Sequence, residues 1–437
     1  RADCGESRAA PRVSRRASSR VPAWAWAEIS RAAAARLVMV LVAAAGLTML
    51  AWSQPGVQIT SQDVRQAPPP YSFDGWRLIE EAEFSRVYEI SFTSAYTSGV
   101  AENDKVRVKC WMPHPPKTPL PSVILLHYLG ATDTQMEEAL AKRLNDRGIA
   151  AFIMPLPYHL SRTPSGKRSG QEAIKPDPVA LTATMKQATF DVRRLLDFIC
   201  ERPEFSPGMV GLSGTSLGSI IGSLVFAVDP RIKTSAFTLG GIDLAHILMK
   251  SPIVQVQREE LRKKGWTEES LREALQPIEP SQYLKPLGAD RRSLVIAAKY
   301  DQVIPRAATE KLVDKLETAE KVELSTGHYG GFVVQNRILR TLASWFDASL
   351  RDKEFQAPRS LDAPTLRIGV AYNPETSAQV ALAFDVWRSG DRFFAAPMIT
   401  PKGIQGFFGA SLTREASIGV SVTGRKTTWG IYWNYIL

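Results

Sequence analysis

The chain has 437 residues, 44% hydrophobic and 22% charged, with a formal net charge of +10. That length exceeds one ordinary core and predicts a large domain with a smaller companion, and the composition excludes a disordered or fibrous chain. The charge does not make a nucleic-acid binder: residues 1–36 hold eight Arg against three acidic residues, half of the surplus, and no basic block stands among aromatics elsewhere.

Residues 37–52 are apolar and lead into Ala51-Trp52-Ser53, small at both cleavage-specifying positions. A basic segment, an apolar run and such a site predict a signal peptide over 1–53 and a secreted or periplasmic protein. The run is short of the roughly 20 residues of a membrane span, but uncleaved it would act as an N-terminal anchor. Residues 54–82, with Pro68-Pro69-Pro70, read as a linker.

Residues 84–92 and 105–111 alternate loosely and predict the first two strands. Ser122-Val123-Ile124-Leu125-Leu126-His127 is a continuous apolar run, as expected of a central parallel strand. An amphipathic helix over 133–147 stops at Gly148. Then come a strand at 149–154, a polar loop, a helix at 181–200, a strand ending at Leu212, an apolar helix, and a strand at 232–239. Residues 242–290 carry helical patterns and no strand signal, which predicts an inserted cap. Strands at 294–298 and 321–324 alternate with helices at 307–318 and 332–350. This alternation predicts an α/β class with a doubly wound, mostly parallel sheet over 83–350.

A second linker spans 351–364. Five β-rich runs then predict an all-β module over 365–437, either a small sandwich or a sheet annex, too short for an eight-stranded membrane barrel. Its last run places Trp429, Ile431, Trp433, Tyr435 and Leu437 on one face. That face either packs into the module or onto the large domain, or forms an exposed aromatic platform for glycan or envelope contact.

Gly214-Thr215-Ser216-Leu217-Gly218 is a G-x-S-x-G pattern between an apolar strand end and an apolar helix. A serine there sits on a sharp turn, and the helix N-terminus behind it favours negative charge on the reacting oxygen. A serine hydroxyl needs a base, and the base needs an orienting acid. Of five His, His328 lies in a Gly-rich loop after the last strand of the large sheet. Asp301 follows the strand before it, with Asp243, one strand earlier, as the rival acid. His159, on the long polar loop, is a candidate for substrate contact, and His246 for a helix surface.

In the order Ser216, Asp301, His328, on those loops, the sequence resembles the α/β-hydrolase family, closest to its dienelactone hydrolase and acetyl esterase branch. The resemblance covers residues 83–350 and implies a serine hydrolase of carboxylic esters that needs no cofactor and no metal. It also implies an oxyanion hole from the backbone N–H of Leu217 and of Leu129, with Tyr128 as the alternative where the family commonly has Gly. A peptidase of the prolyl-oligopeptidase kind, an acyltransferase and a non-catalytic binding protein are the competing readings. The three candidate residues all precede 365–437, so that module is expected to be separable from the chemistry. No C-x-x-C occurs, so zinc and thioredoxin-like motifs are absent, and the sequence leaves pairing of Cys110 with Cys200 open.

Overall fold

The computed structural model describes residues 64–436 except 70, 71, 74, 118, 287, 289, 359, 362–364, 390, 391 and 414. The expected leader or anchor at 1–53 lies outside the described residues. Ten strands build the large sheet in the order β1-β2-β3-β5-β4-β6-β7-β8-β9-β10. They are β1 (Gly75–Glu81), β2 (Ser85–Thr93), β3 (Lys105–Pro113), β4 (Leu120–Leu126), β5 (Ala150–Met154), β6 (Phe205–Thr215), β7 (Ile232–Thr238), β8 (Arg292–Ala298), β9 (Glu320–Leu324) and β10 (Ser360–Leu361). The strands up to β3 pair antiparallel, β3 also meets β5 antiparallel, and β5-β4-β6-β7-β8-β9-β10 is parallel.

The parallel strands are apolar on both sides because helices cover both faces. Leu120, Ile124 and Leu126 of β4 enter one buried cluster, and Val123 and Leu125 enter the other. The second cluster is completed by α1 (Gln135–Asn145) and α8 (Gln335–Ser349). The first is completed by α2 (Pro178–Glu201), α3 (Leu217–Val228) and α7 (Arg306–Leu316). Asp177 caps α2 by accepting from Val179 N–H at 3.0 Å, with Pro178 in the first turn where a missing N–H costs nothing. The region 242–290 is helical: α4 (Leu244–Lys250), α5 (Gln255–Lys263), α6 (Glu268–Ala274) and three 3-10 turns.

Neither expected linker is a plain connection. The first contains β1, whose Trp76 stacks on Tyr88 at 4.7 Å and on Phe198 at 5.4 Å. Val64 and Phe73 join the core beside it. The second contains β10, parallel to β9, which buries Leu361. Two residues are too short a run for alternation to signal. Cys110 and Cys200 are both free thiols.

The C-terminal module is a closed six-stranded antiparallel barrel, rather than a sandwich or an annex. It runs β12 (Ser377–Phe384), β11 (Leu366–Asn373), β17 (Lys426–Ile436), β16 (Ala416–Thr423), β15 (Gly403–Ser411) and β14 (Phe393–Thr400), and β12 closes on β14. β13 (Trp387–Ser389) adds a short flap to β14. Sequence reading leaves β14 unassigned, because Pro397 and paired alanines break its pattern. Inside, Ala371, Ala381, Ala383, Ala396, Met398, Phe394, Phe407 and Tyr432 fill the barrel. A buried polar chain crosses one end: Arg367 donates to both Asp385 oxygens at 2.7 and 3.0 Å and to Asn434 Oδ1 at 3.0 Å. At the other end Asn373 donates to Gln405 Oε1 at 3.1 Å and Ser421 Oγ at 3.0 Å.

The face of β17 expected by default to pack away is exposed, with Trp429 52% and Trp433 56% open to solvent. The module is also less separate than expected. Thr365 donates to Ser325 O at 2.8 Å, and the Arg388 guanidinium lies 4.2 Å from the Tyr300 ring. Both contacts fall on the loops that carry His328 and Asp301.

Candidate active site

β6 turns into α3 at Ser216, whose φ of 53° and ψ of −111° lie in sparsely populated backbone space. Such a conformation costs on the order of 1–3 kcal/mol and persists only when its surroundings fix it. Ser216 N–H donates to Thr238 O at 2.9 Å, and Ser216 O accepts from Ser219 N–H at 3.0 Å and Ile220 N–H at 3.1 Å. Crowding requires the flanking glycines. A Cβ on Gly214 would stand 2.2 Å from Gly218 O, and one on Gly218 would stand 2.3 Å from Leu126 O.

The loops after β8 and β9 bring two partners to that serine. Asp301 Oδ1 accepts from the N–H groups of Val303 and Ile304, both at 2.8 Å, and Oδ2 lies 2.7 Å from His328 Nδ1. His328 Nε2 lies 3.0 Å from Ser216 Oγ. All three side chains are buried. A carboxylate can only accept, so Nδ1 carries the imidazole proton and Nε2 faces the hydroxyl as acceptor. Asp243 is not part of this chain. It caps α4, accepts from His246 N–H at 3.3 Å and pairs with Lys311 at 3.0 Å. His246 pairs with Glu268 at 3.0 Å.

His159 does not face the cavities at Ser216. It is fully buried, and its Nε2 accepts from Gly130 N–H at 3.0 Å while Nδ1–H donates to Pro157 O at 2.8 Å. His127 does the same one loop over: Nε2 accepts from Leu156 N–H at 3.0 Å and Nδ1–H donates to Tyr128 O at 2.8 Å. Burial pushes His127 down to about 3 and His159 down to about 4, so both rings are neutral at pH 7. The two rings, 4.9 Å apart, tie down the segment 128–130 beside Ser216. Gly130 N–H is thereby committed to His159, and Leu129 borders the cavities on both sides of Ser216 while Tyr128 borders one. Leu217 borders the other and opens α3, where a helix leaves its first N–H groups unpaired. The loop bearing His159 is itself anchored by a fully buried ion pair, Arg162 to Asp191 at 2.8 Å.

Two apolar cavities meet at Ser216. One, about 960 Å³ including its open mouth, lies between Tyr128, Leu140, Leu239, Phe332 and Leu342. The other, about 750 Å³ on the same measure, is walled by Met185 and Ile221 and by Leu244, Ile247, Leu248 and Val254 of the cap. Glu137 borders the first cavity, and its Oε2 has no hydrogen-bond partner. Burial pushes its carboxyl up to about 7, and Asp133 and Glu138 push the same way. Sequence reading missed Glu137, although the spacing 137, 140, 141, 144 puts it on the buried stripe of α1. Among the described residues no cluster of His, Cys, Asp and Glu could hold a metal ion.

No family model matches the chain. Two uncharacterized proteins from strains of Mycobacterium tuberculosis are 26% identical over 292 residues, which is 62% of this chain. The chain spans 66% of the length of these relatives. Among solved structures, an acetyl xylan esterase from Paenibacillus sp. R4 superposes with a TM-score of 0.52 at 17% identity, over 66% of this chain and 92% of that one. An acetyl xylan esterase from a Thermoanaerobacterium species gives 0.48 at 14% identity, over 66% of this chain and 93% of that one. At such identity the likeness speaks of fold, and residues 75–361 have the α/β-hydrolase fold.

Proposed function

We propose that the protein is a serine hydrolase that cleaves carboxylic esters through an acyl-enzyme. The observation that carries this reading is the unbroken hydrogen-bond chain from Asp301 through His328 to Ser216, at a strained strand-to-helix turn. Ser216 Oγ attacks the acyl carbon while His328 Nε2 takes its proton, and Asp301 holds the ring in the required tautomer. The backbone N–H groups of Leu217 and Leu129 receive the developing oxyanion. His328 then returns the proton to the leaving alcohol, and the same groups activate water to release the acid. Donors aimed at the oxyanion contribute about 3–4 kcal/mol each to such a reaction. The two apolar cavities favour esters with apolar groups on both sides of the scissile bond. The acetyl xylan esterase of similar fold agrees with this chemistry, and the pattern at 1–53 supports export to the cell envelope.

The test is labelling with a fluorophosphonate probe, followed by turnover of p-nitrophenyl esters of rising chain length. Wild-type protein is labelled and hydrolyses esters, and Ser216→Ala does neither while unfolding at an unchanged temperature. Full labelling of the Ser216→Ala protein would sink the assignment.

A further inference from the structure

The barrel wears its apolar side outward. Between the strand ends, no described outward position on any of its six strands is charged or amide-bearing. On one side the outward residues include Val370, Val420 and Ile431, and on the opposite side Ile399, Ile404 and Phe408, each at least 41% exposed. The charged groups sit at the rims or inside. The free rim carries Lys402, Arg425 and Lys426 against Glu375, and Lys426 pairs with Glu375 at 2.7 Å. Inside, Arg367 is bonded to Asp385 and Asn434. Aromatic residues gather toward the two ends: Tyr372 and Trp429 lie 5.6 Å apart beside the free rim, and Trp387 stacks on Phe408 at 5.6 Å near the other.

We propose that this barrel is a lipid-inserting module whose apolar band occupies bilayer hydrocarbon and holds the hydrolase at a membrane. Four features select lipid as the occupant. The band faces every direction around the barrel, whereas one protein partner covers about 800 Å² on one side. Closure of β12 on β14, at Leu382–Ile399 and Ala383–Met398, joins the two ends of the sheet into a ring, as hydrocarbon demands of β-structure. The strands have 8 to 11 residues, close to the 9–11 of a tilted membrane strand. Apolar outside, aromatic at the ends and cationic at the rim is the arrangement that matches hydrocarbon, interface and anionic headgroups in turn. The packed interior makes the module an anchor rather than a pore.

The test uses the full chain with phosphatidylcholine–phosphatidylglycerol vesicles whose acyl chains carry bromine at mid-depth. Bromine quenches tryptophan only on contact within the bilayer. Wild-type emission is expected to be quenched, and the quenching to be lost in W429F/W433F, which isolates the barrel from any insertion by residues 37–52. The outward variant V420E/I431E is expected to lose the same quenching and to keep its ester turnover, which reports an intact fold. Equal quenching of wild type and W429F/W433F overturns the proposal. So does a lipid-free oligomer that V420E/I431E dissociates without any bromolipid contact in the wild type, for then the band is covered by second copies of this chain.

Discussion

In the ten-stranded sheet, successive residues of β4 go to two clusters that are both apolar and both covered by helices. In the barrel, successive residues of β17 go to an interior that holds Tyr432 and Asn434 and to an exterior that holds Ile431 and Trp433. The first sheet is held together from outside by its helices, so its strand edge is free to carry chemistry in loops. The second is held together by a small centre of alanines, Met398, Phe394, Phe407 and Tyr432 with bonded polar groups at each end, and much of its apolar surface faces outward. A two-residue period establishes that the faces of a strand differ, but not which of them is the inside. That is decided by what covers each face.

The largest effect expected is at the loop edge of the first sheet. Asp301→Asn keeps the shape of the site but can donate where the carboxylate only accepts, which favours the wrong imidazole tautomer. A loss in kcat of about 10,000-fold is expected, with secondary structure unchanged. A loss below tenfold in steady-state assays would mean that another group orients His328.

Inside the barrel, Asp385→Asn should weaken folding by about 3–5 kcal/mol, because it leaves the fully buried Arg367 cation without its partner. Denaturant unfolding followed by tryptophan emission measures this. A change under 1 kcal/mol would show that the polar chain is not what closes the barrel, and the contrast between the two sheets would lose its basis.

Much of the first sheet was legible in sequence because buried parallel strands are continuous apolar runs and each crossover helix has its own period. Ser216, Asp301 and His328, which the structure brings into one hydrogen-bond chain, stand out in sequence because each follows such a run, where loops gather. β1 and β10 escaped because one follows Pro68-Pro69-Pro70 inside a segment that reads as a linker and the other is two residues long. The roles of His127 and His159 could not be read, since a histidine that ties a loop and one that moves a proton look alike until their partners are known. The barrel was half legible: its alternation pointed to strands, but closure depends on the β12–β14 pairing, which is not local in sequence.

Glu137 sharpens the comparison, because it is a buried carboxyl at the wall of a largely apolar cavity in the first sheet's domain. Its carboxyl is raised to about 7 by burial, while in the unfolded chain it ionises near its ordinary value. Its contribution to stability is therefore present in full below the ordinary carboxylate range, and it is lost as pH rises toward about 7, where the unfolded state holds fewer protons. Glu137→Gln should flatten that fall and stabilise the protein at pH 8 by at most about 3 kcal/mol. Melting temperatures of both proteins at pH 5 and pH 8 decide it, and parallel changes would place the proton elsewhere.

The smallest effect expected is the one that most directly separates the two sheets. In an ordinary strand, exchanging an apolar residue for a hydroxyl removes core contacts and costs stability. Ile431 points outward between Trp429 and Trp433 on its own strand and pairs with Ile418 on β16 and Tyr372 on β11, all at least 41% exposed. In water, Ile431→Thr keeps the β-branched shape that a strand prefers and gives up little buried area, so unfolding should change by no more than about 0.5 kcal/mol. The neighbouring residue in sequence, Tyr432, points inward, and its one O–H is shared between the carbonyls of Arg367 and Ala381, 3.0 Å from each. Tyr432→Phe at the adjacent position should therefore cost more, about 1–3 kcal/mol for two buried acceptors left with one partner fewer. If the two substitutions cost the same in denaturant unfolding, the exterior of the barrel is covered in solution, and the polarity read from its strands is not the one the protein uses.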